Sequence, residues 1–485
     1  MKMERRPHRR SCSSYVLAGA SVVMHGICLG QTPQSPPAHA STFDRLTALN
    51  PHLHADDPYE LPMKLRAITK DEYAFFRGTA DLFYAFCKDN YPDLLDDKHE
   101  RVLLHGDVHV GNIGAYQSDG AVGEDIHFGV VDLDEAVHGP FALDLLRAAT
   151  DLRFAVASQH CTLGDTDAAE AIRALCDGYK RTLTGEFDES SVIDSHRAAE
   201  VLVRNAAKGK LDKYLHRYVA KRQPPRFRPA RVTGGDVRDL MEPVTPDLRA
   251  RITTALWDYL ERGCPPQTAL RFRIKDAKAL EAGVLDVVRW TRLGSCGSQG
   301  VTKYLVLLDR PLSDLNGLFI LQLKGEPIPA AARAGLLAAA GPPRGREVAE
   351  AYRRLASSPE WLVGHTQIGG LAFLVRAKDP WNEELEPGSV LAHASTQEAV
   401  ELGRLLGEVV GLAHRQAILA SGRASAAVER ITDSLTQLRP TLLTRSSELE
   451  TYFRREYLAL RGDPRVRKLV PEADEYVRKV SSDNR

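Results

Sequence analysis

The densest run of polar side chains lies in a short segment flanked by apolar residues, and its spacing suits phosphoryl transfer. The segment reads Leu104-His-Gly-Asp-Val-His-Val-Gly-Asn-Ile113, and Val130-Val-Asp-Leu-Asp-Glu135 follows it. Phosphoryl transfer needs one carboxylate to orient the attacking hydroxyl, and an amide and a second carboxylate to hold Mg²⁺ on the phosphates. We therefore predict Asp107 as the catalytic group, with Asn112 and Asp132 as the metal ligands.

The same residues leave two other chemistries open. His105, Asp107, His109 and Asp132 form a set of the kind that binds zinc or two metal ions in hydrolases. The third interpretation is a module that binds a nucleotide without catalysis. Tightly bound zinc or iron would favour the hydrolase, whereas stabilisation by Mg-ATP would favour the other two interpretations.

Two family resemblances sharpen the first interpretation. The segment from His105 to Asn112 resembles the H-G-D-x-H-x-x-N catalytic loop of aminoglycoside and choline kinase-like phosphotransferases, and Val131-Asp-Leu-Asp134 resembles their metal-binding strand. More closely, the chain resembles a bacterial family called domain of unknown function 2252. The matching stretches lie within residues 60–420 and include Phe75–Gly78, His105–Gly114, Gly139–Arg147, Leu293–Gly300, Leu321–Lys324 and Leu406–His414.

The resemblance implies a fold, cofactors and residue roles. It implies a protein-kinase-like fold of the α+β class, ATP and Mg²⁺ as cofactors, and a small molecule as the phosphoryl acceptor. In this motif the histidine at the position of His105 is a structural brace that bonds to the backbone. The helix aspartate at the position of Asp144 braces the catalytic loop in those families.

The residues expected to hold the nucleotide come after the catalytic loop. Strands are predicted at Asp286–Trp290, Tyr304–Leu308 and Leu318–Leu323, with a glycine-rich turn between the first two. A lysine ends the third strand, and a glutamate in the following helix is its expected partner. The residues assigned to the nucleotide are Gly294, Gly297, Gly300, Lys324 and Glu350.

This order of parts predicts a circular permutation. In an ordinary kinase the glycine-rich loop and the lysine precede the catalytic loop, but here Lys324 lies far downstream of Asp107. Because both must reach one triphosphate, the two-lobe fold is expected with its lobes in reversed order. The predicted organisation is a leader at 1–41, a catalytic helical lobe at 42–280, a β-rich nucleotide-binding lobe at 281–394, and helices at 395–485 that return to the catalytic lobe.

The amino-acid composition argues against nucleic acid as a binding partner. The chain of 485 residues has 64 Lys and Arg against 64 Asp and Glu, which argues against a nucleic-acid-binding surface. Its seven cysteines are scattered without a C-x-x-C pair, so we predict free thiols. The oligomeric state is left open.

The N-terminus has the layout of a secretory signal. Basic residues precede an apolar stretch at Tyr15–Met24, and small residues follow at Ala38-His-Ala40. His25 interrupts the apolar part, so export and a cytoplasmic location both stay open. Elsewhere the chain lacks the run of about 20 apolar residues that a membrane span needs, and we predict none in the mature chain.

Overall fold

The computed structural model of the protein describes residues 40–483, apart from 55–57, 97–98, 159–162, 234–235, 294–295, 339–343 and 423. The predicted leader therefore lies almost wholly outside the described residues. Helices and sheets are mixed, which confirms the predicted α+β class.

Within the described ranges the α-helices are α1 (Thr42–Leu49), α2 (Glu60–Ile68), α3 (Glu72–Arg77), α4 (Ala80–Asn90), α5 (Ala142–Ser158), α6 (Asp165–Leu183), α7 (Glu189–Ser195), α8 (Arg197–Ala207), α9 (Leu211–Leu215), α10 (Pro246–Asp258), α11 (Pro266–Arg271), α12 (Ala277–Gly283), α13 (Ala330–Arg333), α14 (Arg344–Leu355), α15 (Pro387–Val390), α16 (Thr396–Ala420), α17 (Ala424–Gly462) and α18 (Pro464–Asp483).

The strands in the same ranges are β1 (Arg101–Leu104), β2 (Ile113–Gln117), β3 (Ile126–Val130), β4 (Val137–Pro140), β5 (Val219–Ala220), β6 (Arg226–Phe227), β7 (Ala230–Thr233), β8 (Asp236–Pro243), β9 (Val284–Arg292), β10 (Lys303–Asp309), β11 (Leu318–Gly325), β12 (Gly364–Ile368), β13 (Leu371–Ala377) and β14 (Glu383–Glu384).

The helical core forms where α16 lies directly against α6. Glycines at every fourth position of α16 share one helix face, and this face meets the backbone of α6. A Cβ at Gly403 would lie 2.0 Å from the carbonyl oxygen of Ala171, and a Cβ at Gly407 would lie 2.0 Å from that of Leu175. The close approach fixes the far end of α16, where His414 faces α5.

The large sheet is antiparallel, with strand order β12-β13-β11-β10-β9-β8-β7. Side chains alternate along β10, because successive residues of a strand point to opposite faces. Val306 and Leu308 belong to one apolar cluster, with α10, while Leu305 and Leu307 belong to a second cluster, with Tyr218 beyond α9. Both faces of the central strands are therefore covered.

Two strands of this sheet precede the predicted lobe boundary at residue 281. Strand β8 pairs with β9, and β7 pairs with β8, so the sheet is built from residues on both sides of that boundary. The strand β12 begins at Gly364, after Leu362 takes a left-handed backbone conformation with φ of 57°.

Two small strand pairs bring the polar segments together. Strands β1 and β4 pair so that Leu104 lies opposite Val137, and β2 and β3 pair so that Ile113 lies opposite Val130. The loop from β1 to β2 and the loop from β3 to β4 therefore emerge at the same ends of these pairs. These two loops carry the predicted catalytic and metal-binding residues.

Two further predictions from the sequence concern membrane-spanning helices and the state of the cysteines. No helix in the described part of the chain is long and apolar enough to cross a membrane. Cys87, Cys176, Cys264 and Cys296 are free thiols, as predicted for these positions.

Candidate active site

The start of the predicted catalytic loop, residues His105–Asn112, is fixed by Asp144 on α5. Its fully buried carboxylate accepts hydrogen bonds from the backbone N–H of His105 at 2.7 Å and of Gly106 at 3.0 Å. His414 Nε2 lies 3.0 Å from the same carboxylate. Buried polar groups need such partners, so this network ties α5, α16 and the loop together. Asp144 thus occupies the bracing position that the resemblance implied.

His105 braces the loop with both ring nitrogens. Its Nδ1 accepts the backbone N–H of Asp107 at 3.1 Å, so its Nε2 carries the proton and donates to the carbonyl of Val131 at 3.0 Å. The ring therefore links the catalytic loop to the residue that precedes Asp132. Because both nitrogens are engaged with backbone, the imidazole has no lone pair left for a metal ion.

The carboxylate of Asp107 is held by Arg147 of α5. The guanidinium donates to Asp107 Oδ1 from Nε at 3.0 Å and from Nη2 at 2.7 Å. The Arg147 side chain is completely buried and lies over the ring of Phe76, 3.9 Å from its centroid. Asp107 Oδ2 makes no such bond to Arg147 and lies 3.9 Å from His109 Nε2. One oxygen is thus fixed, and the other borders the cavity described below.

Asp151 of α5 also holds the loop, although the sequence did not lead us to predict it. Buried Asp151 accepts the backbone N–H of Val110 at 2.9 Å, in the middle of the catalytic loop. Asp144, Arg147 and Asp151 are spaced three and four residues apart, which places them on one helix face. Charged residues at that spacing in an otherwise apolar buried helix were the signal available in the sequence.

Replacing Asp151 with asparagine is expected to change how stability depends on pH. Burial raises the pKa of the Asp151 carboxyl to about 7, whereas an unfolded aspartate titrates near about 4. Between these values the folded protein binds the extra proton, so rising pH destabilises it by up to about 1.4 kcal/mol per unit. Asp151→Asn removes this loss, and its stability relative to the wild type should rise from pH 5 to pH 7 in urea unfolding.

The comparison for this prediction is Asp247→Asn, which changes an exposed carboxylate on α10. Its stability curve should run parallel to that of the wild type over the same pH range. If the Asp151→Asn curve also runs parallel to the wild type, Asp151 does not keep its proton in the folded protein.

Asn112 and Asp132 come together through the β2–β3 pair. The Asn112 side-chain amide donates to the Asp107 carbonyl at 2.9 Å, and Val131 N–H donates to the Asn112 carbonyl at 2.9 Å. The Asn112 side-chain oxygen is therefore the atom left for a ligand. Asp132 has a left-handed φ of 57°, a conformation that aspartate tolerates better than most residues. This backbone conformation places the Asp132 carboxylate just after the end of β3, where the side chain is about half exposed.

Lys324 at the end of β11 reaches this strand end. Its ammonium lies 2.8 Å from Asp132 Oδ1 and also pairs with Asp134. Burial opposes the charge on Lys324, but the two aspartates raise the pKa of its ammonium well above the ordinary value. Desolvation would raise the pKa of Asp132, yet Lys324 lowers it below the ordinary value. The lysine and the predicted metal ligand thus form one ion pair.

The expected partner of Lys324, Glu350, is not brought to it. The Glu350 carboxylate lies 3.2 Å from Arg346 Nε on the same helix and is 45% exposed. The buried face of α14 is formed by Val348, Ala349 and their neighbours, so Glu350 points away from the sheet. The acid buried near Lys324 is Glu326. Its burial, and then Asp134, raise the pKa of its carboxyl.

The glycine-rich turn between β9 and β10 rests on α2. Gly300 N–H donates to Glu60 at 2.9 Å, and Lys64 donates to the carbonyl of Cys296. Gly300 has a left-handed φ of 79°, whereas a Cβ at Gly297 would meet nothing within 4 Å. Gly294 lies outside the described residues. The described part of the turn is therefore anchored to α2, and Gly297 lines a cavity together with Asp107 and Asn112.

Two cavities meet at this cluster. The smaller, about 70 Å³, is lined by Arg77, Asp107, Asn112, Asp132 and Gly297 among others. The larger, about 450 Å³, is lined by Asp132, Trp290, Lys303, Lys324 and Lys378 among others. Asp132 and Ser298 line both cavities. The predicted catalytic and metal residues thus border one space, and the lysine borders the adjoining one.

The site and fold define an α+β protein with a braced aspartate loop beside a lysine–aspartate pair. The chain belongs to the family described as an uncharacterized protein conserved in bacteria (DUF2252), whose model matches residues 56–463. No curated protein and no solved structure matches the chain.

Proposed function

We propose that the protein is a Mg²⁺-dependent phosphotransferase that moves a phosphoryl group from ATP to a hydroxyl of a small molecule. The observation that carries this proposal is the contact between Lys324 and Asp132, at 2.8 Å. A lysine that binds phosphates and a carboxylate that binds their Mg²⁺ must lie together in such an enzyme. Here the two residues come from distant parts of the chain and meet beside the catalytic loop.

The donor groups present suit Mg²⁺ bound together with phosphates. Mg²⁺ is usually held by one or two carboxylates with substrate phosphates rather than by an all-protein cage. Asn112 and Asp132 supply an amide and a carboxylate, and Asp134 Oδ1 is buried without a hydrogen-bond partner in the described structure. Among the described residues no cluster of three or more His, Cys, Asp or Glu is arranged for a metal ion. Bound Mg²⁺ would neutralise the phosphate charge as it develops.

The reaction assigns a separate task to Asp107. Its Oδ2 accepts the hydrogen bond of the acceptor hydroxyl and orients it, while Arg147 keeps Oδ1 fixed. The acceptor enters the smaller cavity, and the donor occupies the larger one. The engagement of both His105 nitrogens supports this assignment over the metallohydrolase, which would need His105 as a ligand.

The proposed architecture is a permuted kinase-like pair of lobes. The catalytic lobe spans residues 42–280 with helices returning at 395–485, and the nucleotide lobe spans 281–394 with β7 and β8 completing its sheet. The contact of Lys324 with Asp132 supports this reversed order, because Lys324 lies on β11, the second strand after the glycine-rich turn. Glu326 stands nearer to Lys324 than the expected helix glutamate does.

Mg-ATP is expected to raise the melting temperature of the wild-type protein, and Asp132→Asn should abolish most of that shift. A ligand at a hundred times its Kd stabilises a protein by about 2.7 kcal/mol, which is several degrees of melting temperature. The amide keeps the shape of Asp132 but loses the charge that holds Mg²⁺. Differential scanning fluorimetry with ATP, with and without EDTA, measures both effects.

Asp258→Asn, an exposed position on α10, serves as the matched control and should keep the full shift. An unchanged melting temperature of the wild type with Mg-ATP would exclude both the transferase and a nucleotide-binding module. A shift that survives EDTA unchanged would exclude the role given to Mg²⁺.

A further inference from the structure

A second lysine of the larger cavity has no assigned task. Lys303 at the start of β10 is 4% exposed, and no carboxylate in the described chain pairs with it. Its ammonium donates to the hydroxyl of Ser298 at 2.7 Å and to the Ser298 carbonyl at 3.0 Å. Burial, and then Lys324, lower the pKa of the Lys303 ammonium to about 7. Burying a cation without a counterion costs free energy, so the buried position of the Lys303 ammonium needs an explanation.

Lys303 lies directly beside Lys324 in the sheet. The two residues are opposite partners of the antiparallel pair β10–β11, so their side chains leave the same face. Like charges at such positions repel each other. Asp132 and Asp134 compensate Lys324, but they leave Lys303 without an ion-pair partner. The pair of lysines therefore makes one wall of the larger cavity suited to an anion.

Other cations on the same wall lack carboxylate partners in the described part of the chain. Lys378 lies over the rings of Trp290, at 4.6 Å, and Tyr218, at 5.5 Å, and Arg292 lines the same cavity. Arg376, by contrast, pairs with Glu360 at 3.0 Å. The unpaired lysines thus meet at the Trp290 ring, over which Lys303 lies at 5.6 Å and Lys378 at 4.6 Å.

We propose that Lys303 is a second phosphate-binding residue, whose ammonium binds the polyphosphate of the donor next to the glycine-rich turn. This inference rests on the proposed function, since it extends the donor site of the same reaction. The turn residue Ser298 borders both cavities, so a phosphate at Lys303 lies next to the turn and to Asp132. A charge-assisted hydrogen bond from a buried ammonium is stronger than a neutral one.

The test compares Mg-ATP with two ligands that each carry one part of it, the triphosphate or the nucleoside. Isothermal calorimetry on the full chain measures the Kd of Mg-ATP, of Mg-tripolyphosphate and of adenosine for the wild type, Lys303→Gln and Lys303→Arg. We expect Lys303→Gln to weaken Mg-ATP and Mg-tripolyphosphate about tenfold or more, with adenosine unchanged. Lys303→Arg, which keeps the charge, should retain most of the affinity. Lys278→Gln, at an exposed position of α12, is the control and should bind as the wild type.

The melting temperature without ligand separates a binding role from a structural one. Removing an uncompensated buried charge should leave that temperature equal or higher, whereas loss of a structural bond to Ser298 would lower it. The inference is overturned if Lys303→Gln binds tripolyphosphate as the wild type does, or if the wild type does not bind tripolyphosphate. If the wild type binds tripolyphosphate but not ATP, the proposed function is overturned. The phosphate-binding role of Lys303 would then still be supported by weaker binding of tripolyphosphate to Lys303→Gln.

Discussion

Asp107→Asn is expected to lower phosphoryl transfer about a thousandfold while leaving the affinity for Mg-ATP close to that of the wild type. Positioned acid–base groups contribute about 10² to 10⁴ in rate. The loss should fall on kcat, because in the proposed reaction Asp107 contacts the acceptor hydroxyl and not the donor. Transfer of labelled phosphate from ATP measures the rate, and calorimetry measures the affinity.

The control for this prediction is Asp258→Asn, which leaves the site unchanged and should keep full activity. Equal activity of Asp107→Asn and the wild type would remove Asp107 from the reaction. A loss of Mg-ATP affinity comparable with the loss of rate would instead place Asp107 among the groups that bind the metal.

The local parts of the site could be predicted because they lie within a few residues of each other. The catalytic loop places Asp107 and Asn112 by its own short turn, and the strand pair β2–β3 then returns the chain to Asp132. The ring of His105 bonds to backbone groups on both loops. Such contacts follow from motif spacing, so the sequence could indicate that Asp107, Asn112 and Asp132 lie close together.

The contacts between distant segments of the chain could be predicted only incompletely from the sequence. The apolar runs of β9, β10 and β11 indicated strands, because these strands are buried on both faces. Strand β7 has exposed residues at Val232 and Thr233, so its sequence lacks such a run. Which distant groups would meet depends on packing that spacing alone does not specify.

Glu350 illustrates the same difficulty. A helix after the lysine strand was predicted and found as α14, but the rotation of that helix about its axis decides which carboxylate faces the lysine. Val348 and Ala349 face the core, and this turns Glu350 towards Arg346 and solvent. Besides Asp132 and Asp134, the acid that raises the pKa of the Lys324 ammonium is Glu326, which lies just after β11.

Arg147→Met is expected to destabilise the protein by about 3 kcal/mol, because it removes one partner of a mostly buried ion pair. Arg147 is completely buried, and Asp107 is only 14% exposed, so water replaces the lost bonds poorly. The variant also loses the hydrogen bond from Arg147 Nη2 to the Phe76 carbonyl, at 3.1 Å. Urea unfolding measures the change in the free energy of unfolding.

The double variant Arg147→Met with Asp107→Asn tests the origin of that loss. If the cost comes from the uncompensated Asp107 carboxylate, the double variant should regain about 1 kcal/mol or more, since neighbouring residues couple by that much. Additive costs would mean that Arg147 acts through its packing on Phe76 and its bond to the backbone. A regained stability would show that the guanidinium balances the charge of Asp107 and holds this carboxylate in place beside the cavity.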